Sequence, residues 1–250
     1  MQIVVDGLLA NYQRSGEGKA VIILHGWGDS GKSWQTLAGE LSKQYQVIVP
    51  DLPGFGGTQA PTSPWGLDDY AKFIEAFLKK LDIKDLYAII GHSNGGAIAI
   101  RGLVANHFTA DELILLSSAG IRGEYKGRNK ALRYITKTGK VLTSPLPRSA
   151  KRKLRQQVYK TVGSDMLVAE HLQETFKKVV SDDVRGDASK IDVPTLIIYG
   201  EGDTQAPVRY GETFHELIDN STLEVLPGAG HFVQLDRPDE VAHAIKEFLV

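Results

Sequence analysis

An α/β architecture with a mostly parallel central sheet is the fold class that this 250-residue sequence predicts. Three observations carry it. Short β-branched runs are apolar at every position, which suits strands covered on both faces. Between them lie longer stretches of helical period, long enough for the crossovers that parallel pairing requires. With 42% hydrophobic residues the chain also has enough apolar side chains to fill one sizeable core.

In chain order, residues 3–5 and 8–13, separated by Gly7, predict an antiparallel hairpin at a sheet edge. Runs at 21–24 and 47–49 predict strands joined by a helix over 33–43. A helix over 67–81 then leads to a strand at 86–90, and one over 94–105 leads to a strand at 113–116. Residues 121–190 break the alternation with helix-like pieces and no apolar strand, and Val193-Pro194 restarts the sheet at 195–199. The expected organisation is therefore a core of 1–120 and 191–250 interrupted by an inserted helical cap over 121–190. A helix over 208–218, a strand at 223–226 and a helix over 239–249 complete the pattern, with Pro238 where a helix start tolerates it.

Charge narrows the functional classes. The 29 Lys and Arg against 30 Asp and Glu give no global basic field of the kind that holds nucleic acid. The balance conceals a local excess, because residues 121–160 hold 13 Lys and Arg and one acid, Glu124. Solvated helix faces explain such a run most simply; the alternative is attraction of an anionic substrate, or weak contact with an anionic lipid surface. The apolar side chains between 132 and 172, Leu132 and Leu172 among them, suit either an acyl-chain wall or ordinary packing against the sheet. The absence of cysteine excludes disulfides, thiolate metal sites and a cysteine nucleophile. Asp6 and the lack of a basic leader argue against a secretory signal, and no apolar run approaches the roughly 18 residues of a membrane span. A cytoplasmic location without stable membrane insertion is the expectation.

The most informative residues are Gly91-His92-Ser93-Asn94-Gly95, placed between a strand and a helix. A strand that turns into a helix over one residue strains that residue's backbone, and flanking glycines let the chains pass, so Ser93 is pushed outward as a candidate nucleophile. A serine hydroxyl needs a general base, normally a histidine oriented by a carboxylate. Downstream, the strand at 195–199 runs into Gly200-Glu201-Gly202-Asp203, which offers Asp203 or Glu201, and the strand at 223–226 runs into a loop carrying His231. The order serine, acid, histidine is the one that accompanies this elbow. Backbone N–H groups for an oxyanion are expected from Trp27, in the glycine-rich His25-Gly26-Trp27-Gly28, and from Asn94. His25 reads as a loop-stabilising residue and His92 as a packing or supporting residue beside the nucleophile. The loop at 51–57 has glycines that shape a turn but no phosphate-loop spacing, and neither a metal nor an organic cofactor is called for.

Together, His25-Gly26-Trp27-Gly28, Asp51-Leu52-Pro53-Gly54-Phe55-Gly56, Gly91-His92-Ser93-Asn94-Gly95-Gly96, Gly200-Glu201-Gly202-Asp203 and Gly230-His231-Phe232 resemble the α/β-hydrolase superfamily across almost the whole chain. The resemblance implies an eight-stranded sheet with its second strand antiparallel, a helical cap after the sixth strand, and Asp203 as the orienting acid. A serine at 93 argues against the branches whose elbow nucleophile is aspartate, the haloalkane dehalogenases and epoxide hydrolases. The expected activity is hydrolysis of small-molecule or lipid carboxylic esters of short or medium acyl chain, with Ser93, Asp203 and His231 catalytic. The alternatives are carbon–carbon bond hydrolysis of vinylogous diketones by the same residues, or a non-catalytic ligand receptor on the same fold.

Overall fold

The computed structural model describes residues 1–122 and 169–249. Its strands are β1 (Gln2–Val5), β2 (Leu8–Ser15), β3 (Ala20–Leu24), β4 (Gln46–Pro50), β5 (Leu86–His92), β6 (Ala110–Leu116), β7 (Thr195–Gly200) and β8 (Ser221–Leu226). They form one sheet in the order β1-β2-β4-β3-β5-β6-β7-β8. β2 runs antiparallel to both β1 and β4, and every pairing from β4 to β8 is parallel. The edge hairpin, the parallel core and the antiparallel second strand are all as the sequence led one to expect.

Strand alternation explains why the runs are apolar throughout. Ile22, Leu24, Ile48, Ile89, Leu113, Leu115, Ile197 and Tyr199 face one core, while Val21, Ile23, Val47, Val49, Ala88, Ile90, Ile114, Leu116 and Ile198 face another. Helix α1 (Gln35–Leu41) covers the second face with Leu37, Ala38 and Leu41. Helices α2 (Leu67–Lys80) and α3 (Asn94–Val104) cover the first; α2 contributes Tyr70, Phe73, Ile74 and Phe77 at the spacing of a single helical face. The predicted helix over 33–43 opens instead as a 3₁₀ turn, Gly31–Trp34, because Asp29 gathers the Ser30 N–H, the Ser33 hydroxyl and the Trp34 indole N–H and tightens the chain there.

Of the stretch expected to be an inserted cap, Ile121, Arg122 and residues 169–190 are described; the remainder, with most of the basic run and the apolar candidates from Leu132 to Val168, lies outside the described residues. The described end holds a 3₁₀ turn (Glu170–Leu172) and two short α-helices, α4 (Gln173–Val179) and α5 (Arg185–Ala188), and it is tied to the sheet domain. Thr175 Oγ1 accepts the Trp65 N–H at 3.1 Å, Gly120 O accepts the Val184 N–H at 2.8 Å, and Arg101 pairs with Asp187 at 2.7 Å. Leu172, a candidate pocket residue, is buried in the core against the loop at Gly54. After β7 come α6 (Val208–Leu217), the short α7 (Val233–Asp236), which the sequence pattern did not indicate, and α8 (Pro238–Phe248) with Pro238 in its first turn. Among the described residues, no helix is long and apolar enough to cross a membrane.

The loop after β4 is fixed by one buried carboxylate. Asp51 Oδ1 accepts the Gly31 N–H at 2.7 Å, and Oδ2 accepts the Asn11 side-chain N–H and the Gly57 N–H, each at 2.8 Å. Three separate segments thus share one anion, in keeping with a shaping role for the glycine-rich loop. Asp51→Ala would strand these donors and is expected to lower unfolding free energy by about 2 kcal/mol or more. Urea denaturation checks this; a variant as stable as the parent would contradict the anchoring role.

Candidate active site

Four loops converge at the carboxyl ends of the parallel strands, the edge where open α/β sheets collect functional groups. The first is the turn from β5 into α3. Ser93 sits there at φ 51°, ψ −117°, a conformation that costs on the order of 1–3 kcal/mol. Close approach dictates its neighbours: a Cβ on Gly91 would lie 2.5 Å from Gly96 Cα, and one on Gly95 only 2.0 Å from Leu24 O. Backbone hydrogen bonds hold the strained residue, with Ser93 N–H donating to Leu116 O at 3.1 Å and Ser93 O accepting from Ala119 at 2.9 Å and Gly96 at 3.1 Å. Ser93 is only partly buried.

The second and third loops follow β7 and β8, and their backbones touch. A Cβ on Gly200 would meet Gly230 O at 2.2 Å, and the Gly202 N–H donates to Ala229 O at 2.8 Å. This contact sets Asp203 against His231, whose Nδ1–H donates to Asp203 Oδ2 at 2.7 Å. The Asp203 side chain is fully shielded from solvent, while 8% of the His231 side chain remains exposed. Desolvation pushes the Asp203 carboxyl up, but the His231 hydrogen bond and the N–H groups of Ala206 and Gln205 on Oδ1 outweigh it, so the group stays ionised below the usual carboxylate range. Glu201, the alternative acid, is exposed and reaches the Gly228 N–H instead. With Nδ1 committed as donor, the neutral ring leaves Nε2 unprotonated, the state that a base needs.

The fourth loop follows β3. His25 is fully buried, and both of its ring nitrogens are occupied: Nδ1–H donates to Gly26 O at 2.7 Å and Nε2 accepts the Leu52 N–H at 2.8 Å. Burial lowers its pKa, so it links two loops as a neutral ring, as the sequence suggested. The Trp27 ring packs on Phe55 at 4.9 Å and on Phe176 of α4 at 5.1 Å, which holds its backbone still. Among the described residues, the backbone N–H groups of Trp27 and Asn94 have no acceptor.

Asp203 and His231 are thus brought together. Ser93 and His231 share a neighbourhood through His92, whose ring centroid lies 4.8 Å from that of His231. No hydrogen bond joins the Ser93 hydroxyl to His231 among the described residues, and such contacts commonly close only when substrate is bound. His92 itself is buried, with its pKa lowered to about 4 by desolvation and by the neighbouring His231. Its Nε2–H donates to His231 O at 2.9 Å across 139 residues of chain, a link that no local pattern reveals. The other histidines engage other partners: His107 meets Glu75 and Asp68, His171 meets Gly54 O, His215 meets Ser221 and His243 meets Glu247. Among the described residues, no group of three His, Asp or Glu could hold a metal ion.

Comparison with known proteins gives a consistent picture. The curated relatives include a 2-hydroxy-6-oxo-6-(2'-aminophenyl)hexa-2,4-dienoic acid hydrolase of Metapseudomonas resinovorans, 26% identical over 97% of this chain and 88% of its own length. A pimeloyl-acyl-carrier-protein methyl ester esterase of Aliivibrio fischeri is 27% identical over 95% of this chain and 96% of its own. Among solved structures, a meta-cleavage product hydrolase from Pseudomonas fluorescens matches with a TM-score of 0.76 at 25% identity, covering 99% of this chain and 96% of that one. The model of the alpha/beta hydrolase family matches residues 21–244, from β3 into α8 and through all four loops, and the chain accordingly belongs to that family.

Proposed function

We propose that this protein is a carboxylic ester hydrolase that works through an acyl-enzyme on Ser93. The observation that carries the reading is the 2.7 Å hydrogen bond from His231 Nδ1–H to the shielded Asp203 carboxylate, which frees Nε2 to act as a base at the strand edge where the elbow presents Ser93. Ser93 Oγ attacks the ester carbonyl carbon as His231 Nε2 takes the hydroxyl proton, and the carbonyl π electrons move onto oxygen. The N–H groups of Trp27 and Asn94 donate to that oxyanion, each worth about 10²–10³ in rate. Collapse expels the alcohol, which takes the proton from His231. Water, deprotonated by the same nitrogen, then attacks the acyl carbonyl carbon, and as the second tetrahedral intermediate collapses His231 returns that proton to Ser93 Oγ, releasing the acid and restoring the serine hydroxyl.

Support for an ester comes from the esterase among the relatives; the dienoic acid hydrolase among them keeps carbon–carbon bond cleavage as the second reading. Assaying p-nitrophenyl esters graded by acyl length beside a ring-cleavage dienoate separates the two. Short or medium esters are expected to turn over faster. Preference for the dienoate would replace the ester reading, and ligand binding without any product would replace both. Ser93→Ala is expected to stay folded, lose about 10³-fold or more in turnover and lose labelling by a serine-directed phosphonate. Turnover near that of the parent would overturn the assignment.

The basic run at 121–160, read from the sequence alone, supports a preference for anionic esters. The expected signature is a kcat/KM for an anionic ester that falls as salt rises from about 0.05 to 0.5 M while that of a neutral ester of equal size does not. Equal salt dependence of the pair would remove this preference.

A further inference from the structure

One buried titratable side chain has no part in the mechanism above. His92 ends β5, pairs in register with Leu116 of β6 and is 1% exposed. Its Nε2 lies 2.9 Å from the carbonyl oxygen of His231. A carbonyl only accepts, so Nε2 carries the proton and Nδ1 keeps its lone pair. That second nitrogen is buried without a partner and faces Gly26, where a Cβ would stand 2.9 Å from Nδ1 and 3.1 Å from Ser93 Cβ. The ring also packs on those of His231 at 4.8 Å and Phe232 at 5.3 Å. One side chain therefore touches the Gly26-Trp27 loop, belongs to the serine elbow and grips the loop that carries the candidate base.

The need for such a grip follows from the geometry of His231. A single hydrogen bond to Asp203 fixes a distance but leaves the imidazole free to pivot about Nδ1, which would swing Nε2 along an arc. The rest of the β8 loop is tied elsewhere: Gly230 N–H to Asp236 Oδ2 at 2.7 Å, and Arg237 to Pro227 O at 2.7 Å. The carbonyl of residue 231 has His92 as its donor. Anchoring that carbonyl fixes the Cα end of the side chain whose far end Asp203 holds, and ring contact limits the remaining rotation.

On the reading that Ser93 and His231 are nucleophile and base, we propose that His92 is a positioning residue. Its Nε2–H, donated to the His231 carbonyl, sets the direction in which His231 presents Nε2 to Ser93, with the ring contact a lesser restraint. A neutral donor suits this role, because desolvation and the neighbouring His231 hold the His92 pKa down to about 4 and no second cation arises beside an imidazolium forming on His231. Phenylalanine at 92 would keep a flat ring and lose the donor. Glutamine places an N–H the same number of bonds from Cα and loses the ring.

The test uses the full chain, p-nitrophenyl esters and a serine-directed phosphonate. His92→Phe is expected to lower kcat by about 10- to 100-fold with KM within about twofold of the parent, and to slow phosphonate labelling of Ser93 in proportion. His92→Gln is expected to recover most of that loss. In the parent protein, ¹⁵N spectra of labelled histidine, assigned with the glutamine variant, are expected to show residue 92 as the Nε2–H tautomer near neutral pH. Unchanged kcat in His92→Phe, equal impairment of the two variants, or an Nδ1–H tautomer would each overturn the proposal. Should His92→Phe not fold, the glutamine variant and the tautomer still decide. A parent protein that fails to react with the phosphonate would refute the ester-hydrolase reading, whereas the tautomer tests His92 independently of it.

Discussion

A carboxylate with no solvent-exposed side-chain surface, held ionised by two backbone N–H groups and one imidazole, is the constraint around which this site is organised. Burying an unpaired charge in an apolar environment costs several kcal/mol, so Asp203 keeps its charge only while its partners stay in place. The same bonds that satisfy the anion orient His231 and fix which of its nitrogens holds the proton. Electrostatics and positioning are therefore one requirement, and the two loops that follow β7 and β8 serve both.

Those loops meet because the sheet brings their strands side by side and because small residues let the backbones touch. Gly200 against Gly230 does this at one end of the site, and Gly91 against Gly96 does it beneath Ser93. The strained φ of Ser93 persists because Leu116 at the end of β6 accepts its N–H while Ala119, in the loop that follows, and Gly96 of α3 donate to its carbonyl. On the other side, His25 and Asp51 clamp the loops after β3 and β4, so the aromatic contacts of Trp27 rest on a fixed base. Local strain at the centre is supported by packing and hydrogen bonding at the periphery.

Much of this is legible in the sequence because it is local. Val21 to Leu24 betrays a strand covered on both faces by being apolar at each position, and the two cores take alternate residues. The glycines around Ser93 mark a turn that permits nothing larger, and Asp203 follows its strand closely enough for its place to be inferred. What is not legible depends on pairs of residues far apart in the chain. The contact of His92 with residue 231, the docking of Asp51 onto three segments and the meeting of Trp27 with Phe176 have no periodicity or motif to announce them. Glu201 and Asp203 lie two residues apart in one loop, so spacing alone leaves both open; the family resemblance points to Asp203, and it is Asp203 that receives the His231 hydrogen bond while Glu201 reaches Gly228.

A crystal structure of the protein reacted with a p-nitrophenyl phosphonate would decide whether these groups act together on one carbonyl, because the adduct stands where a tetrahedral intermediate would. The expected adduct has phosphorus bonded to Ser93 Oγ, the phosphoryl oxygen within hydrogen-bond reach of the Trp27 and Asn94 N–H groups, and His231 Nε2 turned toward Oγ with Asp203 still on Nδ1. Phosphorus on another residue, or a phosphoryl oxygen directed away from both N–H groups with His231 remote from Oγ, would contradict the mechanism.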